Sequence, residues 1–213
     1  MKIAVIGASG KAGSNIVKEA LERGHEVTAF VRDASKVEGS GAAVIEKDVL
    51  DIKAADLKSF DVVVNAFGAP FGQEHLHVDA GNVLIEAIEQ GSQDTRLIVV
   101  GGAGSLYVDP DKTTRVIDTP GFPEMFVPTA SNQAENLEVL RANNKIKWTF
   151  VSPSAEFALG KRTGKYIGGT EFLLVNSKGD SYVSYEDYAI AIVDEIENPK
   201  HINERFTVAS ERE

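Results

Sequence analysis

The chain has 213 residues, with 22 Lys and Arg against 32 Asp and Glu, so its formal net charge is −10. The acidic balance argues against a nucleic-acid-binding surface, which needs clustered basic residues, and the absence of cysteine excludes disulfide scaffolds, cysteine nucleophiles and thiolate metal sites. The length predicts a single domain. No apolar run approaches the ~18 residues of a membrane span, and no cleavage site follows Met1, so we expect a soluble, cytoplasmic protein without a membrane partner.

Short, continuous apolar runs predict buried β-strands. Because these runs do not alternate with polar residues, both faces of each strand are predicted to be covered, as in a parallel sheet between helices. The runs are residues 3–6, 27–31, 43–45, 62–66, 97–100 and 148–151.

Apolar residues at helical spacing predict helices between these runs. The stripes cover residues 16–21, 76–88, 134–140 and 185–196; Gly24, Gly91 and Asn198 mark ends, and residues 50–58 predict a short or irregular helix. Alternating strands and helices predict an α/β fold: one Rossmann-like domain over residues 1–213, a doubly wound parallel sheet with helices on both faces.

Two segments depart from the alternation of strand and helix. Residues 102–130 predict a long loop rich in Gly and Pro, and residues 160–184 predict short strands joined by turns at Gly168-Gly169 and Lys178-Gly179-Asp180. Both follow strands at the carboxyl end of the predicted sheet, where ligands bind in open α/β folds. We therefore expect residues 102–130 and 152–184 to contribute the loops on the substrate side.

A glycine-rich segment joins the first predicted strand to the first predicted helix. Gly7 permits a tight turn, Gly10 lets the backbone approach a pyrophosphate, and Gly13 allows the helix to pack closely on the strand. Free amide groups at the helix start would bind the phosphates, and a nucleoside triphosphate is disfavoured because Ala12 stands where a Ser or Thr should hold Mg²⁺. The segment therefore predicts a dinucleotide site, formed by Gly7, Ser9, Gly10, Lys11, Ala12 and Gly13.

The end of the second predicted strand bears on the choice between NADP and NAD. A guanidinium there pairs with the 2′-phosphate of NADP, whereas a carboxylate binds the ribose 2′-hydroxyl of NAD. Arg32 comes first after the apolar run and Lys11 adds a second positive charge, so NADP(H) is favoured. The alternative, NAD(H), would have Asp33 bind the ribose while Arg32 merely pairs with it in solvent.

Several motifs resemble the atypical short-chain dehydrogenase/reductase superfamily. They are the glycine-rich segment 7–13 and segments 31–33, 47–51, 65–68, 147–153, 162–166 and 184–189. Within the superfamily the chain resembles the NADH-flavin reductase-like or biliverdin-reductase-B-like group, near the NmrA-like proteins. The resemblance implies that Asp48 and Val49 lie beside the adenine, that Ala66, Phe67 and Gly68 line the path from ribose to nicotinamide, and that the turn Ser152-Pro153-Ser154 closes over the nicotinamide end.

The chain departs from the family in its proton-transfer residues. Superfamily members with dehydrogenase chemistry carry a Tyr-x-x-x-Lys pair, but none of the five tyrosines has a lysine four positions on, and Gln133 stands near the lysine position. The family's usual serine is also displaced, since Gly101-Gly102 occupies its place and Ser105 follows. A flavin or quinone demands less of a protein proton donor than a carbonyl does.

These observations predict hydride transfer from NADPH to a flavin- or quinone-like planar acceptor, with Ser105 and Tyr107 as catalytic candidates near it. The missing Tyr–Lys pair also favours an alternative, a non-catalytic NmrA-like protein that senses the dinucleotide and binds a partner. A sugar-nucleotide epimerase ranks third, because it needs that tyrosine and a larger substrate domain.

The remaining candidate sites are weaker. His75 and His77 are two residues apart, which does not suit a shared metal on a helix, so no metal site is predicted. Lys161, Arg162 and Lys165 form a basic cluster, expected to be solvated or to meet an anionic substrate. A planar ring could stack on aromatic residues of the loops, which are Phe67, Phe71, Tyr107, Phe122, Phe126 and Phe157. The protein is expected to be a monomer or homodimer.

Overall fold

Ten strands are present in the computed structural model, which describes residues 1–212. In chain order they are β1 (Lys2–Ile6), β2 (Glu26–Val31), β3 (Ala43–Glu46), β4 (Val62–Asn65), β5 (Arg96–Val100), β6 (Lys147–Ser152), β7 (Glu156–Ala158), β8 (Ile167–Gly169), β9 (Tyr182–Ser184) and β10 (Glu204–Ala209). Eight of them form the central sheet in the order β3-β2-β1-β4-β5-β6-β10-β8, and β7 and β9 form a small parallel sheet beside it. Only β8 runs antiparallel in the central sheet.

Helices cover both faces of the central sheet. They are α1 (Lys11–Glu22), α2 (Ala54–Leu57), α3 (Leu76–Gln90), α4 (Val127–Ala142) and α5 (Tyr185–Glu197). Successive β1 side chains point to opposite faces: Ile3 and Val5 pack with α1 and α5, whereas Ala4 and Ile6 pack with the layer of α2, α3 and α4. The prediction of a Rossmann-like doubly wound sheet with helices on both faces is confirmed.

The predicted elements agree with the structure except in four places. Strand β7 was not predicted, because the short strands were expected within residues 160–184. Strand β3 is largely exposed rather than covered on both faces, because it forms an edge of the sheet. Gly168 and Gly169 lie in β8 rather than in a turn, while Gly179 does form the predicted turn, with φ of 85°. Strand β10 was not predicted, because the polar residues Arg205 and Thr207 interrupt its apolar pattern although both are buried.

The strand order places a crevice at the carboxyl end of β1. The chain leaves β1 toward β2 on one side, and β4 pairs with β1 on the other, so the direction of winding reverses there. In open α/β sheets this switch point is where ligands bind. None of the helices within residues 1–212 is both long enough and apolar enough to cross a membrane.

Candidate functional site

A cleft of about 470 Å³ opens at this switch point. Its walls are formed by the carboxyl ends of the parallel strands and by the start of α1. Ten of the residues that the sequence predicts for cofactor binding line the cleft; they are Gly7, Ser9, Gly10, Lys11, Ala12, Arg32, Val49, Ala66, Phe67 and Gly68. The structure therefore brings most of the predicted residues together in one depression.

The backbone around Gly7 and Gly13 leaves no room for side chains. Gly7 has φ of 74°, a conformation that favours glycine, and a Cβ atom there would collide with the carbonyl of Ala66. A Cβ on Gly13 would overlap the carbonyl oxygen of Gly7. Gly13 thus lies under the loop rather than in the cleft wall, where it lets α1 begin directly against the end of β1.

The start of α1 presents free amide groups. Gly10 is the N-terminal cap and has no side chain to accept their hydrogen bonds, and no acidic residue lies in the first turn. Lys11 and Ala12, the first residues of the helix, line the cleft. Amides at a helix start, together with the positive end of the helix dipole, are suited to an anion such as a phosphate.

Arg32 and Asp33 have different surroundings at the end of β2. Arg32 is exposed, lines the cleft and has no carboxylate partner within residues 1–212. The Asp33 carboxylate accepts hydrogen bonds from the Ser35 hydroxyl at 2.6 Å and the Ser35 amide at 3.0 Å. These bonds hold the pKa of Asp33 below its ordinary value. Asp33 thus caps the turn Ala34–Val37 and does not line the cleft.

At the end of the cleft where the adenine is expected, the structure differs from the prediction at Asp48 and at Lys47. Only Val49 of the predicted Asp48–Val49 pair lines the cleft, because the Asp48 carboxylate accepts a hydrogen bond from the Leu50 amide at 2.9 Å and caps the turn that follows. Lys47, which sequence reasoning missed, does line the cleft, and its ammonium donates to both carboxylate oxygens of Asp56 at 2.8 Å.

The opposite end of the cleft is lined by residues from several elements. They are Val100 at the end of β5, Gly101 directly after it, Gln133 of α4, His77 of α3, Phe157 of β7 and Tyr185 of α5. Burial lowers the pKa of His77, so this imidazole is neutral at neutral pH. His77 also packs edge-on to Phe67, with ring centroids 6.2 Å apart. Tyr185 was missed because no local pattern joins it to the glycine-rich segment.

The structure does not bring Ser152 and Pro153 to the cleft. Both are buried, and Ser154 beside them donates a hydrogen bond to the Val208 carbonyl at 2.8 Å. The reason is strand β10, which pairs with β6 in a register that sets Thr207 beside Ser152. This turn is therefore covered by a strand that the sequence did not predict.

Ser105 and Tyr107 also lie away from the cleft. They line a separate depression beside α4, of about 480 Å³. The Ser105 hydroxyl accepts a hydrogen bond from the Arg205 guanidinium at 2.8 Å, and Arg205 is held in turn by Glu171. Ser105 thus belongs to the packing of the long loop against β10, and the Tyr107 backbone exchanges hydrogen bonds with Glu171 and Leu173.

The aromatic and basic candidates are divided between several places. Of the aromatic residues, Phe67 and Phe157 line the cleft, while Phe71 and Phe126 are exposed and contact each other with ring centroids 6.4 Å apart. In the basic cluster, Arg162 forms two hydrogen bonds of 2.9 Å to the buried carboxylate of Glu19. No group of three or more His, Asp or Glu side chains suited to a metal occurs in the described part of the chain.

Comparison with known proteins agrees with this geometry. A family model described as NAD(P)H-binding matches residues 7–199. The chain therefore belongs to the NAD(P)H-binding family, which confirms the resemblance and the expectation of a nicotinamide dinucleotide.

Three relatives are similar to this chain over nearly its whole length. The uncharacterized protein YwnB of Bacillus subtilis (strain 168) is 61% identical over 214 residues, which covers 100% of both chains. A crystal structure from Streptococcus pneumoniae, of a proposed NADH-flavin reductase, has 47% identity and a TM-score of 0.92, covering 99% of this chain and 100% of its own. One from Bacteroides thetaiotaomicron, of a proposed epimerase, has 36% identity and a TM-score of 0.89, covering 100% and 98%.

Proposed function

We propose that the protein is an oxidoreductase that uses NADPH to reduce a flavin- or quinone-like planar acceptor. The observation that carries the proposal is the cleft itself. Free helix amides and Arg32, which has no carboxylate partner within residues 1–212, lie at one end, and the apolar side chains of Val100 and Phe157 lie at the other. A bound reduced nicotinamide would supply the hydride, and the protein would supply binding, orientation and exclusion of water.

The residues present fit a dinucleotide phosphate. The uncapped amides of Lys11 and Ala12 suit the pyrophosphate, because they are donors without partners in the helix. The ammonium of Lys11 is exposed beside them and adds a positive charge. Ala66, Phe67 and Gly68 form the wall between this end and the apolar end.

The preference for NADP over NAD rests on Arg32 and Asp33. A carboxylate that binds the ribose of NAD must have free lone pairs directed at the hydroxyl, and Asp33 instead caps its own turn. A guanidinium without a partner beside the cleft suits a 2′-phosphate. NAD(H) is an alternative because the same cleft would accept its adenosine. It is the weaker one because it has no 2′-phosphate for Arg32 to bind.

The planar acceptor is supported by the character of the far end of the cleft. Phe157 and Val100 present apolar surface there, and the exposed pair Phe71 and Phe126 joins the loop after β4 to the start of α4. Gln133 stands near the position of the family's lysine, but its neutral amide cannot lower the pKa of a tyrosine as a positive charge would. The site is thus better suited to an acceptor that is reduced readily than to a carbonyl compound, which needs a positioned proton donor. The name of the Streptococcus pneumoniae relative favours a flavin.

The proposal is tested by mixing purified protein with NADPH and FMN, riboflavin or a quinone, and following the loss of absorbance of the reduced nicotinamide. We expect oxidation above the rate without protein, and slower oxidation with NADH. Calorimetry with each cofactor in the absence of acceptor reports binding separately. Neither heat nor turnover from NADPH would contradict the whole proposal.

A second candidate is a regulatory protein that senses the dinucleotide without chemistry. It is favoured by Gln133 in the cleft, because the family's proton-transfer lysine is missing. Tight NADPH binding combined with no oxidation by any of the acceptors would favour this function. An epimerase, as proposed for the Bacteroides thetaiotaomicron relative, is disfavoured by the same absent Tyr–Lys pair.

A further inference from the structure

We propose that the Tyr185 hydroxyl is the proton donor to the reduced acceptor. This inference rests on the proposed oxidoreductase function and adds a residue that the family's Tyr-x-x-x-Lys pattern does not supply. It replaces Ser105 and Tyr107, which lie outside the cleft.

Tyr185 enters the cleft from the first turn of α5. Ser184 caps this helix by accepting a hydrogen bond from the Asp187 amide at 3.0 Å, which fixes where the helix begins. The Tyr185 ring packs on Phe157, with ring centroids 4.1 Å apart. Both side chains line the apolar end of the cleft, together with Gly101 and Gln133.

The surrounding backbone holds this pair in place. Strand β9 leads directly into Tyr185 and pairs with β7, which carries Phe157. The loop that follows β7 is bound to the start of α5. The buried Asp187 carboxylate accepts hydrogen bonds from the Thr163 amide at 2.8 Å and from the Thr163 hydroxyl at 2.7 Å. Rigid support of this kind is what a positioned donor requires.

The hydroxyl of Tyr185 is available to a ligand. It makes no hydrogen bond with any residue from 1 to 212, whereas Tyr166 donates to Asp194 at 2.8 Å and Tyr188 donates to the Val151 carbonyl at 2.6 Å. Burial raises the pKa of Tyr185, so the phenol keeps its proton at neutral pH. A half-buried phenol without a partner at the apolar end of the cleft is placed to donate to an acceptor.

The proton balance is simple. Hydride transfer from the reduced nicotinamide oxidises the cofactor and leaves the acceptor with an added electron pair and a negative charge. The O–H bond of Tyr185 then breaks as its proton bonds to a nitrogen or oxygen of the acceptor. The tyrosinate recovers a proton from water, which reaches it because the side chain is only partly buried.

The test compares Tyr185→Phe with the control Tyr166→Phe. The first change removes one oxygen and keeps the ring on Phe157; the second removes a tyrosine hydroxyl that is outside the cleft and donates to Asp194. For each variant, nicotinamide fluorescence measures the NADPH dissociation constant. FMN fluorescence in the presence of NADP⁺ measures acceptor binding without turnover, and FMN reduction is followed in H₂O and D₂O.

In Tyr185→Phe we expect an unchanged NADPH dissociation constant and FMN binding weakened about fivefold, as for one lost hydrogen bond. Turnover should fall at least about tenfold, as for a lost general acid. The solvent isotope effect of the variant should differ from that of the natural chain. Tyr166→Phe should leave all of these as they are. A Tyr185→Phe protein with the turnover and the solvent isotope effect of the natural chain would overturn only this inference. A natural chain that oxidises no NADPH would overturn the proposed function as well.

Discussion

Arg32 and Asp33 are adjacent in the sequence, yet only Arg32 lines the cleft. The Asp33 carboxylate is turned back on Ser35, to which it is joined by hydrogen bonds of 2.6 and 3.0 Å. A local turn therefore decides that a cation rather than an anion lines the cleft at the end of β2. A carboxylate that caps its own backbone is not available to a ligand.

Replacing Arg32 by Ala tests this arrangement. We expect the NADPH dissociation constant to rise about tenfold or more, because one charge-assisted contact to the 2′-phosphate is lost, while NADH binding changes little. The matched control is Lys36→Ala, which removes an exposed cation from the same turn outside the cleft. Calorimetry measures both cofactors, and equal losses for NADPH and NADH in Arg32→Ala would contradict the assignment.

The double variant Ser105→Ala with Tyr107→Phe separates packing from catalysis. Ser105 accepts from the buried Arg205, so we expect a loss of unfolding free energy of about 1 kcal/mol. The cofactor dissociation constant and the turnover number should be unchanged, because neither residue lines the cleft. Urea unfolding and the NADPH oxidation assay measure these two quantities. A large fall in turnover with stability intact would restore the catalytic role.

Gly13→Ala tests the contact between α1 and the glycine-rich loop. Ala favours a helix over Gly by up to about 1 kcal/mol, but the added Cβ would overlap the Gly7 carbonyl oxygen and the backbone would have to shift. Overpacking of this kind costs about 1–3 kcal/mol, so we expect a net loss of stability and weaker NADPH binding. Gly68→Ala is the control for stability, since a Cβ there meets nothing within 4 Å. A Gly13→Ala protein more stable than the natural chain would refute the clash.

Glu19 should make stability depend on pH. Burial raises its pKa, but hydrogen bonds and charge from Arg162 and Arg23 outweigh this, so the pKa lies below the ordinary value of 4.5. A carboxyl group with a lowered pKa stabilises the fold above its unfolded value, and this contribution disappears as the pH falls through the folded value. We expect Glu19→Gln to lose about 2 kcal/mol at pH 7 and to approach the natural chain as the pH is lowered below 4.5.

Urea unfolding of both proteins at a series of pH values measures this difference. The control is Glu22→Gln, an exposed carboxylate on the same helix whose nearest cation is Lys18 at 4.0 Å. Its unfolding free energy should follow that of the natural chain at every pH. A Glu19→Gln difference that is constant with pH would contradict the explanation.

The parallel sheet and the glycine-rich loop were predictable because their signals are local. Five of the predicted strands are apolar runs buried on both faces, and the spacing of Gly7, Gly10 and Gly13 matches what a tight turn and a close helix require. Strand β10 was not predictable in this way. Its residues Arg205 and Thr207 look like surface residues in the sequence, but both are buried, and Ser105 and Glu171 from distant segments bind the Arg205 guanidinium.

The amino-acid sequence by itself determined the α/β fold, the glycine-rich start of α1 and the fact that no tyrosine has a lysine four positions on. These features depend on residues a few positions apart, whose backbone conformations and hydrogen-bonding groups are set locally. The tertiary structure decided which side chains share the cleft: it covered Ser152 with β10, joined Ser105 to Arg205 and brought Tyr185 beside Phe157. Contacts between segments up to 100 residues apart depend on how the strands are ordered and paired, which no single stretch of sequence encodes.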